Sequence, residues 1–119
     1  MSSAKLYGIY TANFPFLDTA DSKIRPVIVV SSPQSKHNII AIIPVSSRTK
    51  LENVDIALKD WGDEGLVKHS VARIHRLTTM LQADLVTELG ALTKSDSSDL
   101  RAAIRMFLNL EPDLTRSQL

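Results

Sequence analysis

Two apolar runs rich in β-branched residues constrain this chain more than anything else in it: Ile24-Arg25-Pro26-Val27-Ile28-Val29-Val30 and Ile39-Ile40-Ala41-Ile42-Ile43-Pro44-Val45. Runs of this kind, bounded by polar segments, read as strands buried on both faces, and so belong near the centre of a sheet. Each carries polar chemistry at one end. Arg25 stands where the first begins, while Ser46 and Ser47 stand where the second stops. If the two strands are antiparallel neighbours, the start of one lies beside the finish of the other. Arg25 and Ser46 then face a common spot. A guanidinium that never loses its charge, beside a hydroxyl donor at the rim of a sheet, suits a phosphate.

The rest of the chain fits around that pair. Leu6 to Asn13 reads as a first strand, followed by a glycine-free loop from Phe14 to Lys23. Arg25 to Ser31 is the second strand, Pro33 to His37 a polar turn, and Asn38 to Val45 the third strand. Val54 to Leu58 alternates as a half-exposed strand does. Gly65 to Leu77 reads as the longest strand, with period two placing Val67, His69, Val71, Arg73, His75 and Leu77 on one face. Gln82 to Leu85 is expected to form a helical turn and Val86 to Leu92 a last short strand. Ser95-Asp96 offers a cap for a helix whose apolar stripe is Leu100, Ala103, Ile104, Phe107 and Leu108. Arg101 and Arg105 then point outward, and Pro112 ends the helix. The fold class expected is mainly β (α+β): a small, strongly bent antiparallel sheet or partial barrel closed by a C-terminal helix. One domain spans 1–110, and 111–119 form a loose tail.

Composition narrows the function classes. A chain of 119 residues makes one domain, and with no cysteine there is neither a disulfide nor a thiolate metal site. No stretch approaches a membrane span and the first residues do not form a signal peptide, so the cytoplasm is the expected location. With 14 basic against 13 acidic residues the net charge is +1, less basic than expected of a protein that holds duplex DNA by counterion release. The cations are nevertheless clustered, at Arg48 and Lys50 and again from Lys68 to Arg76. His69 and His75 share a face of the expected long strand, but six residues separate them by roughly 20 Å. His37 lies in a turn, so no metal and no cofactor is expected. Trp61, set among acids, either stacks a base or packs on the sheet edge or a dimer contact.

Several strings then fall in a telling order: Gly8-Ile9-Tyr10 with Phe14-Pro15-Phe16, Lys23 to Val30, Ile43-Pro44-Val45-Ser46-Ser47, Gly65 to Arg73, Leu77-Thr78-Thr79 and Leu89-Gly90-Ala91-Leu92 before the helix. In this order and spacing they resemble the MazF/PemK family of toxins from bacterial toxin–antitoxin pairs, along nearly the whole chain. The resemblance implies an SH3-like barrel, a two-fold homodimer, and a metal-independent endoribonuclease (an mRNA interferase) that cuts single-stranded RNA. It also implies a cognate antitoxin whose disordered tail occupies the RNA groove, with operator DNA contacted only through the toxin–antitoxin complex.

Site residues follow position by position. Alone, Arg25 reads as a strand-end arginine that is solvated or paired with a carboxylate. The resemblance puts the family's catalytic arginine there, where a fork-shaped cation stabilises the extra charge of a phosphorane. Ser46 matches a hydroxyl residue that hydrogen-bonds the scissile phosphate, although paired serines after a strand commonly satisfy local backbone. Arg73 matches a second catalytic cation, and His75 stands where some relatives carry an aspartate, as a proton carrier suited to neutral pH or as a surface histidine. Lys23, Ser47, Arg48, Lys50 and Arg76 are the expected RNA-binding residues. The chain departs from the pattern at Ile9, where most relatives carry an acid, and in the glycine-poor loop before Arg25. Two alternatives stay open: a barrel toxin of the CcdB type that inhibits DNA gyrase, and a cleavage-dead regulator acting with its antitoxin. The tail lacks the tryptophan typical of CcdB.

Overall fold

The second apolar run becomes the hub of the sheet. In the computed structural model, residues 3–14, 23–32 and 38–110 are described, with the side chains of Phe14 and Lys23 excepted. They form strands β1 (Gly8–Phe14), β2 (Lys23–Val29), β3 (Ile39–Ser46), β4 (Ile56–Ala57), β5 (Val71–Ala72), β6 (Thr78–Leu81) and β7 (Leu85–Ala91), then helix α1 (Lys94–Phe107). β1 lies between β2 and β7, and β2 pairs β3, all antiparallel. The far edge of β3 is shared: Ile39 to Ile42 pair with β6, Val45 and Ser46 with β5, and β5 carries β4. Among the described residues β7 pairs only β1 and β4 only β5, so the sheet is bent and open, without a closing ladder.

Both faces of the central strands are buried, which is why their sequences are continuous apolar runs. Ile9, Ile28, Ile43 and Val45 face one core layer with Leu58, Ile74 and Leu100. Tyr10, Val27, Val29, Ile40 and Ile42 face the other with Ala12 and Met80. The registers Ile9↔Ile28 and Ile28↔Ile43 hold the first set in one row, and Val29↔Ile42 aligns the second.

The expected long strand from Gly65 to Leu77 does not form. Val71–Ala72 is its only paired part, and Ile74–Arg76 is a 3-10 turn. The cause is the shared edge of β3: β6 occupies its first half, so the chain leaving β5 must step away before it can return. That step buries Ile74 completely, in the layer against which α1 sets Leu100 and Ala103. The single-face pattern expected for Val67 to Leu77 fails with it. Val67 is exposed, whereas Val71, Ala72 and Ile74 are all buried. The half-exposed strand expected over Val54 to Leu58 shortens to Ile56–Ala57.

The helix is capped two to three residues earlier than expected. Thr93 is the N-cap, its Oγ1 accepting the Asp96 N–H at 3.2 Å. Asp96 instead reaches back, accepting the N–H groups of Lys59 at 3.1 Å and Asp60 at 3.0 Å. Glu64 accepts the Thr93 N–H at 2.9 Å, so the 58–66 turn and the start of α1 are bracketed together. Gly65 (φ +90°) and Gly90 let the same turn lie close against the end of β7, since a Cβ on either would overlap the other segment's backbone. At the far end the stripe leaves the core, with Phe107 41% and Leu108 46% exposed. The 14–23 loop beyond Phe14, the 33–37 turn, Pro112 and the tail lie outside the described residues.

Candidate functional site

β2 and β3 carry the first pair of polar residues to one place. Their ladder runs Val29↔Ile42, Ile28↔Ile43, Val27↔Pro44; continued by two residues, the same register sets Arg25 opposite Ser46. Both line a cleft of about 320 Å³ together with Pro44, Val45, Arg48, Lys50, Glu52, Arg73, His75 and Arg76. All four expected catalytic residues, Arg25, Ser46, Arg73 and His75, therefore share one cleft. Of the expected RNA-binding residues, Arg48, Lys50 and Arg76 line it too. Ser47 is exposed and does not, and Lys23 opens β2 with its side chain outside the described part. Among the described residues, five of the lining groups are cations and one, Glu52, is an acid.

Local folding explains each position. Arg73 follows β5, and its N–H donates to the Pro44 carbonyl at 2.9 Å. The side chain is 12% exposed and takes on three acceptors. Nη1 donates to the Lys50 carbonyl at 2.6 Å and to Asp55 Oδ2 at 2.9 Å, and Nη2 to the Arg48 carbonyl at 2.7 Å. Arg73 thus ties down the loop that brings Arg48 and Lys50 to the cleft. Ser46 turns the chain locally, its Oγ accepting the Arg48 N–H at 3.1 Å. A hydroxyl that accepts once still has its own proton to give. His75 sits in the 3-10 turn, and its Nδ1 lies 2.8 Å from Asp55 Oδ1.

Asp55 is the residue that reading the sequence missed. Alternation over Val54 to Leu58 puts it on the exposed face, yet its side chain is fully buried. The register Ile56↔Ala72, carried one step on, sets it across from Arg73. That cross-strand relation was the available signal, but it needed the pairing of two-residue strands to be known. Burial alone would push the Asp55 carboxyl up; the hydrogen bonds from Arg73 and His75 outweigh it and hold the group below the ordinary carboxylate value. Ile9, where the resemblance expects an acid, is fully buried in the first core layer. The carboxylate against Arg73 comes from Asp55 instead.

Among the described residues two groups of side chains have metal-ligand chemistry, with donor atoms within 4.8 Å of one another: Glu52, Asp55 and His75, and Asp60, Glu64 and Asp96. In the first, Asp55 Oδ2 already takes a guanidinium and the Glu52 N–H, so its charge is compensated from within the protein. In the second, Asp96 and Glu64 take backbone N–H groups and Asp60 takes the Thr93 hydroxyl at 2.6 Å. These carboxylates serve the bracket at the start of α1. Trp61 lies away from the cleft, packed against the first core layer and tilted on His69 at 5.0 Å between centroids.

An open, bent antiparallel sheet with one C-terminal helix thus carries a cationic cleft at its β2–β3 rim. The model of the PemK-like, MazF-like toxins of type II toxin–antitoxin systems matches residues 5–108. The chain belongs to that family. Among solved structures, it is similar to the Mycobacterium tuberculosis toxin MazF-mt6 at TM-score 0.70 and 19% identity, over 88% of this chain and 99% of that one. MazE–MazF from Deinococcus radiodurans aligns at TM-score 0.69 and 16% identity, over 93% and 100%. An endoribonuclease in complex with its cognate antitoxin, from a mycobacterial species, aligns at TM-score 0.69 and 15% identity, over 92% and 99%. No curated protein matches the sequence.

Proposed function

We propose that this toxin is a metal-independent endoribonuclease that cuts single-stranded RNA through attack by the 2′-hydroxyl. The observation that carries the reading is the convergence of Arg25, Ser46 and His75 in one cation-lined cleft. The attack forms an O2′–P bond and breaks the P–O5′ bond, leaving a 2′,3′-cyclic phosphate and a 5′-hydroxyl. His75 takes the proton from O2′ and returns it to the departing O5′. Arg25 stabilises the charge that grows on the phosphorane, and Ser46 donates its hydroxyl proton to a phosphate oxygen. Arg73 adds positive potential with its remaining donors while it holds the 48–50 loop. Arg48, Lys50, Arg76, Lys23 and Ser47 bind the flanking RNA, the cations by phosphate contact. The working form is a cytoplasmic homodimer, held in check by a cognate antitoxin that covers the same cleft and brings the pair to operator DNA. Among the described residues no helix is long and apolar enough to cross a membrane.

The test is incubation of the purified protein and an Arg25→Ala variant with a long single-stranded RNA in EDTA. Removing one preorganised donor costs on the order of 100- to 1,000-fold in rate, so the wild type should cleave and the variant should not on the same timescale. Equal cleavage by both, or none by either, overturns the reading. Gyrase-linked DNA breaks without RNA loss would move the protein to the CcdB-type alternative.

A further inference from the structure

We propose that Asp55 is a positioning residue that sets the working tautomer of His75, keeping the proton on Nδ1 and leaving Nε2 as the base that meets RNA; this assignment rests on the ribonuclease reading above. The two oxygens of Asp55 are divided between two tasks. Oδ2 accepts Arg73 Nη1 at 2.9 Å and the Glu52 N–H at 3.2 Å, which fixes the plane of the carboxylate. Oδ1 is thereby aimed at His75 Nδ1, 2.8 Å away. An ionised carboxylate can only accept, so the ring nitrogen facing it must be the donor. A neutral imidazole with its proton on Nδ1 has its lone pair on Nε2. The ring is 24% exposed and lines the cleft, so that lone pair is the part of His75 available to substrate.

Anchoring the 48–50 loop would need only half of this arrangement. Arg73 reaches the Arg48 and Lys50 carbonyls and Asp55 Oδ2, and nothing in that clamp requires Oδ1 to face a histidine. Asp55 never touches the RNA itself; it acts through the ring it orients. Asparagine is nearly the same size and shape, yet it can present an N–H where the carboxylate presented an oxygen. In that setting His75 Nδ1 becomes the acceptor, the proton moves to Nε2, and the base is lost from the cleft.

Two measurements decide the matter. In histidine-labelled wild-type protein, with the signal assigned by its loss in His75→Gln, ¹⁵N shifts should show a protonated Nδ1 and an unprotonated Nε2. In Asp55→Asn the pattern should reverse. In steady-state RNA cleavage, Asp55→Asn should lower kcat on the order of 100-fold or more with KM little changed. The Asp55→Asn/His75→Ala double variant should be no slower than His75→Ala alone. A wild-type ring protonated on Nε2, a tautomer unchanged in Asp55→Asn, or single-variant losses that multiply in the double variant would each overturn the assignment. The wild-type spectrum requires no RNA cleavage and no folded Asp55→Asn variant, only a folded His75→Gln to assign the signal. An inactive wild type would therefore sink the ribonuclease reading while leaving the role of Asp55 to be judged by its spectrum.

Discussion

Ser46 shows how one small side chain can satisfy its fold and keep chemistry in reserve. Its Oγ accepts the Arg48 N–H at 3.1 Å in an exposed turn, so the structural bond uses a lone pair while the proposed catalytic bond uses the proton. The two uses separate on substitution. Ser46→Ala should leave the urea midpoint nearly unchanged, since one exposed hydrogen bond contributes at most about 1 kcal/mol. Its single-turnover cleavage rate should fall on the order of 100-fold or more. A rate equal to wild type would reduce Ser46 to a turn residue. Arg73 is the opposite case: three acceptors in the protein engage its guanidinium, and its contribution to the cleft comes largely through the loop it secures.

At the scale of elements, the join between the 58–66 turn and α1 carries its own pH dependence. Glu64 is fully buried beside Asp96. Burial first, then the neighbouring Asp96 carboxyl, push it up to about 7 from an ordinary 4.5, against the opposing bond from Thr93. A proton on Glu64 also gives its Oε1, otherwise buried without a partner, a hydrogen to share with Asp96. The folded state therefore holds this proton more tightly than the unfolded chain does. The resulting stability is fully present below about 4.5 and is lost as pH rises to about 7. The urea midpoint should accordingly fall between pH 5 and pH 7 and flatten above. Glu64→Gln, a neutral isostere that still accepts the Thr93 N–H, should remove that slope. A slope unchanged in the variant would place its origin elsewhere.

For the whole molecule, what matters is where charge sits. The chain is nearly neutral at +1, yet Arg25, Arg48, Lys50, Arg73 and Arg76 all line one cleft, with Glu52 the one carboxylate among the described residues on its wall. Binding of single-stranded RNA should therefore weaken steeply with salt despite the small net charge. Each phosphate contact contributes about 0.7 to the slope of log K against log salt on single strands. Arg48→Ala and Lys50→Ala should each reduce the slope by about that much in fluorescence-anisotropy titrations. No change from either would remove both residues from the RNA path.

The sequence alone marked two strands buried on both faces and the polar residues at their ends. It brought Arg25 to Ser46 only on the condition of antiparallel pairing, and the β2–β3 ladder supplies that condition. The sequence also marked the last strand and the helix, because periodicity is a local property, although the cap moved from Ser95-Asp96 to Thr93. What it did not determine was set by competition for space. Whether Gly65 to Leu77 extends or turns depends on β6 already holding half of one edge of β3, and only the assembled sheet contains that information. Asp55 was lost for the same reason: its alternation pointed to solvent, while the register of a two-residue ladder turned it inward against Arg73 and His75. Local periodicity reports what a segment prefers; which edge is vacant, and which charge faces which, is decided when distant segments meet.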